Sequence, residues 1–257
     1  MNKKTLLCTL IVSLFAFAQL AMADYYPVAA VGPGPVNAGP YSYGVNGTYG
    51  GEFTFTPGGL DISNYVNTTS NQVDVGQYGS TFQTFCLESV VEYNVGQSYY
   101  AQLSQYSPMI GGMALTTGAA WLYSQFAQGI LSGYDYSTDG GRTTSAGLLQ
   151  EAIWYLMGQT PPTGFTTATI GNNTFLNQAY TLFGSSMTAA SNGQFGVSVL
   201  NLYPDQNNTP GTEVQDQLYY GGIGSEGGSP APTPVPAAVW LLGSGLMGLL
   251  GLKRRKG

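Results

Sequence analysis

Polar and apolar residues alternate strictly through Glu52-Phe53-Thr54-Phe55-Thr56, weakly from Gln72 to Gly76, and again in the β-branched and aromatic run Thr81-Phe82-Gln83-Thr84-Phe85-Cys86-Leu87. A period of two places successive side chains on opposite faces, so this half of the chain is predicted to form strands joined by Gly and Asn turns. The period then lengthens. Ala119, Ala120, Leu122, Tyr123 and Phe126 recur at helical spacing behind Thr116 or Thr117, either of which can cap a helix running to about Leu131. A second helix is predicted from a cap at Thr143 to Ser145 through Leu149, Ala152, Ile153 and Leu156 to Met157, where Gly158 ends it. Asn173 to Ala190 supplies a third. Gly196 to Leu202 alternates like a strand once more, and Gln217-Leu218-Tyr219-Tyr220 reads as a short final one.

Strands, then helices, then strands predict an α+β fold: a β-rich sheet or barrel-like half with a small helical bundle, in one domain spanning 51–220. Residues 24–50 carry Tyr25-Tyr26-Pro27, Gly32-Pro33-Gly34-Pro35 and Gly39-Pro40-Tyr41, breakers without a periodic apolar face, and are expected to be a flexible lead-in. Residues 221–234, rich in Gly, Ser and Pro, are expected to be a linker.

The two ends follow different rules. Lys3 and Lys4, an apolar run from Leu6 to Leu20, and Ala21-Met22-Ala23 before Asp24 form the pattern of a secretory signal peptide, 1–23, cut after Ala23. Cys8 lies inside it and should leave with it. At the other end, 16 apolar residues from Ala237 to Leu252 make about 24 Å of helix, short of the ~30 Å bilayer core. Lys253-Arg254-Arg255-Lys256 follows and should stay cytoplasmic, as should Lys3 and Lys4.

Charge sharpens this division. Charged residues are 8% of the 257, against roughly a quarter in ordinary soluble domains. Between the termini stand one Arg, Arg142, and all thirteen acids, a net charge of −12 without any Lys. Such a body has no attraction for nucleic acid or an anionic lipid surface, so membrane contact is expected only through the terminal segments. The chain contains no His and two Cys, which excludes a His-based triad, a thiolate zinc cluster and a disulfide scaffold. No metal site and no cofactor is expected.

Residues 235–257 resemble the PEP-CTERM sorting signal of exported proteins from Gram-negative bacteria that make exopolysaccharide. The likeness runs through Pro236-Ala237-Ala238-Val239-Trp240-Leu241, Gly243-Ser244-Gly245-Leu246 and the basic end, with Val235 where that family usually has Glu. The resemblance implies removal of the tail by an exosortase-type membrane enzyme and delivery of the body to the cell envelope, surface or matrix. A plain single-pass anchor is the alternative.

With the leader removed, Cys86 is the one remaining cysteine, in an oxidising compartment and without an internal disulfide partner. It is therefore buried and inert, paired between chains, or chemically used. Gln150, in Leu148-Leu149-Gln150-Glu151-Ala152-Ile153-Trp154, is a lone amide on a broadly apolar helix face, with Trp154 and Met157 on its stripe and Glu151 and Tyr155 pointing away. It is either hydrogen-bonded to nearby backbone or joined to Cys86. A thiol that displaces ammonia from the carboxamide leaves a Cys–Gln thioester, which an amine can later open.

Phe85-Cys86, followed 64 positions later by Gln150-Glu151-Ala152-Ile153-Trp154, resembles the thioester domains of bacterial surface adhesins, as does Ala119-Ala120-Trp121-Leu122. Leu149 stands where that family usually has Thr, and Leu87-Glu88 where an aromatic residue follows the Cys. The resemblance implies a single-use cross-link between Cys86 and Gln150, no catalytic turnover, and covalent adhesion to an amine-bearing surface protein or polymer. A body without Lys suits such a warhead. The competing reading is a structural or carbohydrate-binding matrix protein with an inert Cys86, whose paired Tyr25, Tyr26, Tyr99, Tyr100, Tyr219 and Tyr220 could stack on exopolysaccharide sugars. A hydrolase built on Glu88 and Glu92 would need an unusual base; the two are expected to be solvated.

Overall fold

The structure is a computed structural model of the chain and describes residues 25–31, 41–43, 50–63, 65, 81–92, 94, 97–137, 140–207 and 211–222. The signal peptide, the weak strand at Gln72 to Gly76, all but two residues of the 221–234 linker, and the sorting tail lie outside the described residues. Among the described residues no helix is long and apolar enough to cross a membrane.

The fold is α+β. Strands β1 (Tyr25–Val31), β2 (Tyr41–Tyr43), β3 (Gly50–Thr56), β4 (Phe82–Thr84), β5 (Ser98–Ser104), β8 (Val197–Tyr203) and β9 (Gln217–Tyr220) form one antiparallel sheet. Its order is β2-β3-β1-β5-β8-β9, with β4 on β3. A two-residue pair, β6 (Tyr106–Ser107) with β7 (Met113–Ala114), stands apart. The helices are α1 (Thr117–Ala127), α2 (Gly140–Leu156) and α3 (Thr174–Phe183), the last followed by a 3-10 turn at Gly184–Thr188.

The breaker-rich stretch expected to be a lead-in contributes two strands. β1 lies between β3 and β5 in the sheet, pairing Ala30 with Phe55 and Tyr26 with Ala101. Proline at Pro27 and the absence of alternation hide this from the sequence, because backbone pairing between two ready strands requires no apolar face of its own. β2 pairs Ser42 with Gly51 and Tyr43 with Gly50. The domain therefore begins upstream of residue 51.

The far end of the sheet bends back toward β4. Leu218 N–H donates to Phe85 O (3.2 Å), Leu87 N–H donates to Asp216 O (3.0 Å), and Cys86 makes an isolated antiparallel bridge with Gln217. Thr84 Oγ1 adds bonds to Leu218 O and from Leu218 N–H, but β4 and β9 do not pair as strands, so among the described residues the barrel-like alternative is not realised as a closed barrel.

The helices cover the sheet by the stripes their sequences predicted. Thr116 caps α1 by accepting from Ala119 N–H at 3.4 Å, and Asn173 caps α3 by accepting from Phe175 and Leu176 N–H. α2 starts a little earlier than the Thr143 to Ser145 cap and ends at Leu156, ahead of Gly158. Leu149, Ala152, Ile153, Trp154, Leu156 and Met157 are all buried. Helix α3 ends at Phe183 rather than running to Ala190, since Gly184 leaves helical geometry there. The core is strongly aromatic: Phe85 meets Phe126 edge-on at 5.0 Å, and Phe126 meets Tyr134 at 4.9 Å.

Candidate functional site

Cys86 lies just beyond β4, at the seam with β9, and Gln150 lies in the second half of α2. Both side chains are fully buried. The Cys86 Sγ stands 3.2 Å from Gln150 Oε1, so the thiol can donate to the amide carbonyl. A carbonyl bond is short, and the carboxamide carbon therefore lies no more than about 4.4 Å from the sulfur.

The carboxamide is held by backbone on both of its polar atoms. Gln150 Nε2 donates to Cys86 O at 2.8 Å, while Oε1 accepts from Cys86 N–H and from Gly51 N–H, each at 3.3 Å. An unpaired buried amide would cost several kcal/mol; here the cost is met by the same short segment that carries the thiol. The packing is tight on the strand side. A Cβ at Gly50 would stand 2.7 Å from the tip of the Trp154 indole, 3.0 Å from Phe165 and 3.1 Å from Gln150 Cγ. Gly51 has φ of +109°, open to glycine and strained for any other residue.

Burial pushes the Cys86 thiol well up, and the nearby Glu88 carboxyl adds to the rise. The Trp154 indole N–H and the Cys86 backbone N–H favour the thiolate without reversing that balance. Trp154 Nε1 is buried and makes no full hydrogen bond among the described residues. At neutral pH Cys86 is a protonated thiol.

Glu88 was expected to be solvated and is instead buried, because the chain folds back under β6 and the lead into β9. Its carboxylate accepts from Ser107 Oγ and from Asp216 N–H, each at 2.6 Å. Glu92 is exposed, as expected, so the two do not form a carboxylate pair. The acid that Glu88 does face is Asp216, whose side-chain oxygens have no hydrogen-bond partner among the described residues. Burial and the Glu88 charge both push the Asp216 carboxyl well up. Glu151, expected to point away from the core, is covered: its carboxylate accepts from Thr166 N–H at 2.7 Å, which ties the segment after α2 back onto the helix. Tyr155 is exposed.

Arg142, the single basic residue of the body, is buried and ion-paired. Its Nη2 stands 2.5 Å and its Nε 2.9 Å from the two oxygens of Glu52, and Tyr134 donates to the same carboxylate. This clamp fixes the start of β3, and with it Gly51, against the first turns of α2. Of the tyrosine pairs considered for sugar stacking, Tyr99, Tyr219 and Tyr220 are buried and Tyr100 half-buried. The side chains of Tyr25 and Tyr26 lie outside what is described.

Sequence reasoning brought Cys86 and Gln150 together but missed Gly50, Phe165, Asp216 and the function of Gly51. A Gly-Gly pair directly ahead of an alternating strand was the available signal, since glycine there marks close backbone approach. Among the described residues no cluster of three or more Cys, Asp or Glu is placed to hold a metal ion. Compared with protein-family models, curated proteins and solved structures, the chain matches none.

Proposed function

We propose that this chain is an exported surface or matrix protein that stores a Cys86–Gln150 thioester and spends it once, in covalent attachment to an amine-bearing partner. The observation that carries this reading is the 3.2 Å approach of a buried thiol to a buried carboxamide across 64 residues of sequence. In closure the sulfur attacks the carboxamide carbon, a C–S bond forms, the C–N bond breaks, and the thiol proton leaves on ammonia. In attachment an amine attacks the same carbon, the C–S bond breaks, and an amine proton returns to the sulfur. Neither step needs a cofactor.

Charge supports the choice of partner. The body displays acids, and its one cation is locked inside the fold, so a cationic amine is drawn toward it and no internal Lys competes. Export by the leader, processing of the tail by an exosortase-type enzyme, and residence in the envelope of a Gram-negative exopolysaccharide producer belong to this proposal on the sequence resemblance.

Intact mass of the mature protein is the test. A deficit of one ammonia, absent in Cys86→Ala and in Gln150→Ala and replaced by one added methylamine after exposure to that amine, is expected. A full mass, with a thiol that titrates once the chain is unfolded, overturns it. The hydrogen bonds already satisfying Gln150 favour the second reading, a structural or sugar-binding matrix component in which Cys86 is inert.

A further inference from the structure

The two N–H groups aimed at Gln150 Oε1 do more than satisfy a buried amide. They come from separate segments, Gly51 at the start of β3 and Cys86 beyond β4, and they converge on one oxygen at equal distance. That oxygen takes up negative charge when sulfur or amine adds to its carbon. We propose that Gly51 N–H and Cys86 N–H form an oxyanion hole for closure and opening of the thioester, with Gly50 as the positioning residue that lets β3 approach closely enough to supply the first donor. This rests on the thioester reading given above.

Three features support the assignment. The donors are backbone groups in a water-excluded setting, where hydrogen bonds to developing charge are strongest and need no reorganisation. The approach requires Gly50, because a methyl group there would collide with the Trp154 indole tip at 2.7 Å and crowd Phe165 and Gln150 Cγ at 3.0 and 3.1 Å. The conformation requires Gly51, at φ +109°. The hole also answers the difficulty posed by the protonated thiol: polarising the acceptor carbonyl compensates for a weak nucleophile. Sγ donates to the same oxygen before reaction, and as the C–S bond forms, its proton passes toward the departing nitrogen and the two N–H groups remain on the oxygen.

The experiment uses the mature wild-type chain and reads the thioester carbonyl stretch as the infrared difference before and after methylamine. A band lower in frequency than that of a short unstructured thioester peptide is expected, and a band at the peptide's position overturns the proposal without any variant. Gly50→Ala should react with methylamine roughly tenfold to a hundredfold more slowly, with its band moved toward the peptide's. Should that variant fail to fold, Gly50→Ala combined with Trp154→Phe, which removes the colliding indole tip, should fold and regain both rate and band toward those of Trp154→Phe alone. Equal rates and bands in Gly50→Ala and wild type refute the oxyanion hole and leave the thioester standing. A wild-type chain that retains its ammonia refutes both.

Discussion

Arg142 and Glu52 meet as a buried bidentate ion pair that locks the first turns of α2 to the strand whose Gly51 touches Gln150. Burial raises the Glu52 carboxyl, and the guanidinium opposes that rise through both hydrogen bonding and charge. Removing one member of such a pair strands the other. Arg142→Met should cost about 3–5 kcal/mol, read from urea unfolding, and should lower the fraction of chains that lose ammonia. Glu52→Leu with Arg142→Met should recover most of the stability. If the single variant unfolds at the wild-type urea midpoint, the pair does not hold the strand to the helix.

Asp216 provides a pH signature. Its folded carboxyl titrates above the ordinary aspartate value because burial and Glu88 both disfavour the charge. The folded chain therefore keeps a proton that the unfolded chain has released once pH passes about 3.9. Stability from this group falls as pH rises from there to the folded value, well above it. Asp216→Asn removes that part of the slope, so the variant should gain on the wild type as pH rises above about 4. Parallel stability profiles for the two proteins across that range would show that Asp216 is ionised in the fold.

Asn173 joins two helices with one side chain. Its Oδ1 accepts from Phe175 and Leu176 N–H at the start of α3, and its Nδ2 donates to Leu148 O on α2 at 2.7 Å. Asn173→Ala loses cap and bridge together and should cost about 1–2 kcal/mol. Asn173→Ser keeps a cap oxygen and lacks the donor that reaches Leu148 O, so thermal unfolding should place it between the alanine variant and wild type. A serine variant as unstable as the alanine one would assign the whole effect to the bridge.

The helical half was readable because each helix carries its own instructions. Thr116 and Asn173 are caps, and the Leu149, Ala152, Ile153, Leu156 stripe has one period and one burial. The same stripe singled out Gln150 as an anomaly, and its pairing with Cys86 came from the thioester chemistry open to a thiol and a carboxamide, together with the resemblance of Phe85-Cys86 and Gln150-Glu151-Ala152-Ile153-Trp154 to thioester domains. What the sequence concealed depends on contacts distant along the chain. β1 reads as a run of breakers because its role comes from β3 and β5 on either side. Glu88 reads as a solvated acid because Ser107 and Asp216, which cover it, arrive from other elements. Gly50 and Gly51 stand at the boundary drawn between lead-in and domain, and the partners that press on them, Trp154 and Gln150, come from α2 far along the chain.

In the proposed function an amine has to reach a buried carbon, and Phe165 is placed to bear on that access. Cys86 and Gln150 have no exposed surface, yet an amine must reach the carbon between them. Phe165 is half-buried, packs edge-on against Trp154 at 4.9 Å, and lies over Gly50 beside the Gln150 side chain. Its segment is tied to α2 through Thr166 N–H, which donates to the Glu151 carboxylate. Phe165→Ala opens this cover without touching the reacting atoms or the two donors on the oxygen. It should cost less than the roughly 3–5 kcal/mol of a fully buried phenylalanine and should speed methylamine addition several-fold, with the effect growing for bulkier amines. Glu151→Gln, which weakens the tie and leaves the ring in place, should give a smaller increase in the same direction. If methylamine and a bulky amine react with Phe165→Ala at wild-type rates, amines enter by another route, and the covering ring belongs to the core alone.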